Sequence, residues 1–242
     1  MKQAVALVNL VVSTGEPAGI GPEVSLAAAL DFLREQNDVA ITLLGDDQLL
    51  NLPKNLDPTL VGRLQIESIK LAAPVISGVL NPQNARYVIT LLDQAINGCQ
   101  QGRFDAMVTA PLQKSIINDA GTPFMGHTEH LAQRCNISHV VMMLCAPLPV
   151  GFLGLKSPRD LRVALATTHV PLKDVPKALS YDLILETIQI VHRDLQKKFG
   201  IANPVIRMAG LNPHAGESGY LGREEIEMIA PAIEAAKAMG IQ

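Results

Sequence analysis

Apolar residues recur along this chain in two rhythms, and the exchange between them predicts a mixed α/β fold. Short runs rich in β-branched residues and closed by glycine or proline read as strands: Ala4 to Val12, Val39 to Leu44, Asp105 to Thr109, His139 to Cys145, Leu161 to Thr167 and Val205 to Ala209. Between them the spacing becomes helical. Pro22 stands at the favoured first position of a helix after the loop STGEPAGIGPEV. Ala85, Val88, Leu91, Leu92, Ala95, Ile96 and Cys99 form one stripe, with Gly102 as its stop. Ile184, Ile188, Val191, Leu195 and Phe199 form another, which leaves His192 facing solvent. A short helix is expected from His127 to Cys135, and a last one from Gly222 through Ala238, stopped by Gly240. The stretch Asn51 to Val79 is weakly patterned. The segment Ala146 to Arg159 is too apolar for a free surface loop and is expected to be covered.

Composition narrows the function classes. With 242 residues, 48% of them hydrophobic, the chain is long enough for one large α/β domain or two small ones. A net charge of −3, 3% aromatics and no tryptophan supply neither the basic stripe nor the stacking platforms of a nucleic-acid binder. The odd set Cys99, Cys135 and Cys145 indicates free thiols in a reducing cytoplasm, packed in the core. Asn9 breaks the apolar N-terminal run, which is read as a first strand and not as a signal peptide. The longest uncharged run, His139 to Leu155, carries Pro147 and Pro149 and is too short to span a bilayer.

The chemistry concentrates where strands end. His214 lies in GLNPHAGE and His169 in ATTHVPL, each on a polar loop after an apolar run, the edge where open α/β sheets bind ligands. Two such imidazoles suit a shared divalent metal, and each alone also suits a solvated loop residue. In AGTPFMGHTEHLA, Thr128 is placed either as a plain helix N-cap or as a donor to an anion at the positive helix end, with His127 beside it and His130 as support. Lys114 reads as a solvated lysine or as a phosphate ligand. Gly19-Ile20-Gly21 begins a dinucleotide fingerprint, but Val24 stands where its third glycine belongs, so a tight turn is the simpler reading.

Four blocks, GEPAGIGPE at Gly15, VTAPLQK at Val108 with AGTPFMGHTEHLA after it, ATTHVPL at Ala166 and GLNPHAGESGYLGREE at Gly210, resemble the 4-hydroxythreonine-4-phosphate dehydrogenase family of pyridoxal phosphate biosynthesis. The resemblance implies an α/β fold of α/β/α two-subdomain architecture like the isocitrate and isopropylmalate dehydrogenases, with residues 1–242 as one unit of two interleaved subdomains. It implies His169 and His214 as metal ligands and His127 and Thr128 as the substrate-binding pair. The cofactors it implies are NAD or NADP and a divalent metal, zinc, magnesium or cobalt. The implied reaction oxidises 4-phosphohydroxy-L-threonine, and the product decarboxylates to 3-amino-2-oxopropyl phosphate. A cytoplasmic homodimer without membrane or nucleic-acid partners is expected. The family carries a third metal histidine and further substrate contacts beyond the equivalent of Gln242, so a shortened chain is expected, and Ala146 to Arg159 looks like an insertion. The alternatives are a related dehydrogenase for another phosphorylated hydroxy acid or diol, and a non-catalytic remnant.

Overall fold

The computed structural model describes residues 7–53 and 55–242, and residues 4–6 of the expected first strand lie outside them. Three of the short apolar runs and one strand inside the weakly patterned stretch pair in parallel: β1 (Val8–Ser13), β2 (Val39–Gly45), β3 (Leu64–Ser68) and β4 (Ala106–Thr109), in the order β3-β2-β1-β4, with β3 the one not expected. Parallel pairing requires crossover connections: helix α1 (Gly21–Glu35) links β1 to β2, α2 (Ala85–Gln100) links β3 to β4, and a loop with the 3-10 turn Pro58–Leu60 links β2 to β3.

Successive strand residues face opposite sides of a sheet, and the core divides accordingly. Val12 and Leu43 pack with Ala29, Leu30 and Leu33 of α1. Val11 and Leu44, one position away, pack with Val88, Leu91 and Leu92 of α2. The sheet is therefore covered on both faces, which explains why β2 reads as a continuous apolar run instead of an alternating one. The weakly patterned stretch is held by a buried amide: Asn84 Oδ1 accepts from the backbone N–H groups of Ala72 and Ala73 at 3.1 and 2.9 Å. Two short helices follow β4, α3 (Lys114–Asp119) and α4 (His127–Arg134).

The chain divides into two compact units, Met1–Ser138 and His139–Gln242. The second contains an antiparallel pair, β5 (Met142–Leu148) and β6 (Arg159–Leu165), followed by α5 (Val175–Ala178), α6 (Tyr181–Lys197) and α7 (Ala230–Ala238). Ser180 caps α6 by accepting from the Leu183 N–H at 3.1 Å. Ile184 and Ile188 of the expected stripe meet Ile229, Ala232 and Ala236. Phe199 lies past the helix end and is exposed, while His192 is half-buried instead of fully solvated.

The structure changes the reading of two stretches here and of the cysteines. Val205 to Ala209 is extended but is not a strand, because it lacks a ladder. The Ile206 N–H is bonded to the Gln242 carbonyl at 2.8 Å, and a cavity of about 920 Å³ adjoins this stretch, β6 and α6. The segment Ala146 to Arg159 is not covered by its own unit. Its ends extend the β5–β6 ladder and its tip is open, with Leu153 90% exposed. Cys145 is exposed on β5; in the first unit Cys135 is half-buried and Cys99 packs against the apolar core, so the thiols are free and only Cys99 takes part in core packing.

Candidate substrate and metal-binding loops

The first unit gathers its polar groups beyond the carboxyl ends of β1 and β4. The Gly15 loop lies directly on the turn after β4: the Glu16 N–H donates to the Pro111 carbonyl at 3.0 Å, and a Cβ on Gly15 would collide with that same oxygen. A Cβ on Gly21 would collide with the Thr14 carbonyl. These glycines thus serve close backbone packing, and the tight-turn reading of Gly19-Ile20-Gly21 agrees with that. Glu16 is only 6% exposed; burial raises its carboxyl above the ordinary range, partly offset by the Ala18 N–H, which donates to Oε1 at 3.2 Å.

Across the same turn, α4 opens at Gly126, which makes no side-chain cap. Thr128 sits inside the first helical turn, not at the N-cap as one sequence reading had it, because the chain turns at Gly126 and not at His127. Burial, and then the charges of Lys114 and His130, lower the His127 imidazole below its ordinary value. Its Nε2 is buried without a hydrogen-bond partner among the described residues. Lys114 is drawn in over Gly126: a Cβ there would lie 3.0 Å from Lys114 Nζ and 2.8 Å from Glu129 Oε2. His130 plays the supporting part expected of it, with Nε2 2.8 Å from Asp93 Oδ1, which Arg134 also pairs at 3.1 Å. A neutral imidazole, an ammonium group and uncapped helical N–H groups together form an environment for a polar, anionic ligand.

In the second unit both loop histidines are exposed and both have left-handed backbone, with φ 57° at His169 and 53° at His214. His214 opens a run of five such residues through Ser218. Each non-glycine residue in that region costs about 1 kcal/mol or more, so the run has to be held from outside. Imidazole donors are the right kind for a divalent metal. Among the described residues, however, no three His, Cys, Asp or Glu side chains gather to hold one, and a catalytic site generally takes three protein ligands. The donor set fits the metal in kind and is short in number.

Comparison with known proteins decides the family. The model of the pyridoxal phosphate biosynthetic protein PdxA matches residues 22–242. The chain belongs to the PdxA family. It is 50% identical over 241 residues to the 4-hydroxythreonine-4-phosphate dehydrogenase of Burkholderia vietnamiensis, covering 98% of this chain and 71% of that protein. Against the same enzyme of Ralstonia nicotianae it is 48% identical over 252 residues, covering 97% and 72%. The crystal structure of the Klebsiella pneumoniae 4-hydroxythreonine-4-phosphate dehydrogenase superposes with a TM-score of 0.80 at 27% identity, covering 97% of this chain and 73% of that one. A terephthalate 1,2-cis-dihydrodiol dehydrogenase from Burkholderia xenovorans, 22% identical with a TM-score of 0.62, shares the fold.

PdxA membership accounts for the absent third glycine. The α/β fold with isocitrate and isopropylmalate dehydrogenase likeness, expected from the four blocks, is the observed class. Sequence reading had passed over two buried carboxylates, Glu16 and Glu225. Glu225 lies in a charged string whose local pattern resembles a solvated surface, and Glu16 in a loop rich in glycine and proline; only tertiary packing buries them. The available signal was position: Glu16 lies between glycines inside the first block, and Glu225 lies inside the last.

Proposed function

We infer that this PdxA-family chain is an NAD-dependent oxidoreductase that acts on 4-phosphohydroxy-L-threonine, the β-keto acid formed then losing carbon dioxide to give 3-amino-2-oxopropyl phosphate. The observation that carries this reading is the family match along residues 22–242, joined to relatives of that name at about half identity. Supporting it is the α4 opening, where His127 Nε2 lacks a partner and Lys114 lies close by. In this reading His127 and Thr128 bind the substrate through that opening, and the neutral state of the imidazole keeps the pocket's positive charge on Lys114. His169 and His214 hold the divalent metal. Imidazole donors favour zinc or cobalt over magnesium, which prefers oxygen. Such a metal, when bound, polarises the reacting oxygen and stabilises charge that develops there.

The test is NADH formation by the purified protein with 4-phosphohydroxy-L-threonine, with and without added zinc or cobalt, and against NADP and a panel of phosphorylated hydroxy acids and diols. Turnover that depends on the metal and prefers the named substrate is expected. Loss of substrate contacts in H127A and T128A should raise KM about 10-fold or more, the cost of one or two hydrogen bonds to a charged group. A preference for another hydroxy acid would move the substrate assignment and leave the family unchanged.

The homodimer belongs to this proposal as well. The β5–β6 hairpin leaves Leu144, Val150, Leu153, Leu161 and Val163 exposed, a cluster of apolar side chains of the kind that marks an interaction surface. A second copy of this chain is the occupant proposed for it. Among the described residues no helix is long and apolar enough to cross a membrane.

A further inference from the structure

Glu225 starts the π-helical turn Glu225–Ile229, a local form that recurs at functional sites, and it is only 8% exposed. A buried carboxylate needs partners, and Oε1 has two: the backbone N–H groups of Leu211 and Asn212 donate to it at 2.9 and 3.0 Å. Those bonds, the Asn212 one first, hold the carboxyl below its usual range against the opposing effect of burial, so the group is ionised at neutral pH. The second oxygen, Oε2, is buried and unpartnered among the described residues. It faces Gly216, where a Cβ would lie 2.9 Å from Oε2 and 2.8 Å from the Gly222 carbonyl.

One carboxylate is therefore bonded to the chain before His214, at 211–212, and packs close against it after His214, at Gly216, where no side chain would fit. Between those points lies the left-handed run from His214 to Ser218, which L-residues do not sustain on their own. Of the run's own backbone bonds, Ala215 N–H to the Asn212 carbonyl at 3.2 Å closes the turn across His214, and Tyr220 N–H to the Glu217 carbonyl at 3.2 Å and Leu221 N–H to the Gly216 carbonyl at 3.0 Å lie after it; all three are internal to the segment 212–221 and none ties it to the π-helical turn. We propose that Glu225 is a positioning residue which clamps the two sides of the left-handed turn and so sets the direction of His214 toward its divalent cation. The inference rests on the reading of His214 as a metal ligand.

Calorimetry with zinc chloride on the full chain, together with hydrogen exchange at the Leu211 and Asn212 amides, tests it in wild type, H214A, E225A and E225Q. We expect E225A to weaken zinc binding about 10-fold or more and to speed exchange at both amides, as removal of outer-sphere partners of metal ligands does. E225Q keeps an acceptor oxygen for the two amides and should recover most of the affinity. If H214A loses zinc while E225A binds it as wild type does, the positioning role is wrong and the metal reading stands. If H214A binds zinc like wild type, the metal reading fails, and with it the role assigned to Glu225, even where exchange shows the clamp. Should E225A not fold, E225D decides: its carboxylate is one methylene shorter and withdraws from the two amides, so faster exchange at Leu211 and Asn212 with weakened zinc binding supports the clamp, and faster exchange with unchanged zinc binding overturns it.

Discussion

Burial pushes His127 and Glu16 toward the neutral form, and they give the protein opposite responses to pH. For His127 the folded state binds its proton more weakly than the unfolded chain does. Its contribution to stability is complete above the ordinary imidazole range and falls as pH drops through that range toward the lowered folded value. Glu16 is raised, so its contribution is present below the ordinary carboxylate range and is lost as pH climbs through the elevated folded value. At neutral pH Glu16 therefore costs stability. Urea denaturation of E16Q, which keeps an acceptor for the Ala18 N–H, should show a higher midpoint than wild type at pH 7, with the advantage shrinking in mild acid. Equal midpoints at both pH values would mean that Glu16 is solvated. The four candidate site residues can be proposed from the sequence because histidine and threonine stand out on loops bounded by glycine and proline. The two buried glutamates cannot, since nothing adjacent in the chain marks a carboxylate as enclosed.

Helical elements were more legible than strands, and α2 shows why. Its apolar stripe is long enough to fix both period and face, and each of Ala85, Val88, Leu91, Leu92, Ala95 and Ile96 is buried. Leu91, fully enclosed against Val11 and Leu44, has no solvent to collapse toward, so L91A should destabilise the protein by about 2–5 kcal/mol in urea or thermal melts. A loss under about 1 kcal/mol would mean that the site repacks. Strands depend on partners far away in the chain. Val205 to Ala209 has a strand's composition and no ladder, and the ends of β5 and β6 shifted for the converse reason: the antiparallel register carries Ala146 to Leu148 into pairing with Arg159 to Leu161. The N-terminus of α4 moved to Gly126, which displaced Thr128 from the cap into the first turn.

For the molecule as a whole, the apolar hairpin and the loop histidines carry the remaining expectations. If the β5–β6 tip is where a second copy docks, replacing both Leu144 and Leu153 by aspartate should shift the protein from dimer to monomer in sedimentation velocity and leave its circular dichroism unchanged. A wild type that sediments as a monomer would remove the dimer proposal. The order β3-β2-β1-β4 has a further consequence. Because β1 runs down the middle of the sheet, the loop that carries Glu16 emerges between the ends of its two neighbours and is stitched to one of them through Pro111. An extra residue spliced into β4 would slide that stitch by a full pleat and tear Glu16 from its seat. The same splice at the tip near Leu153 would lengthen a bend outside the β5–β6 ladder and leave the parallel sheet untouched, so natural length variation should spare the central strands.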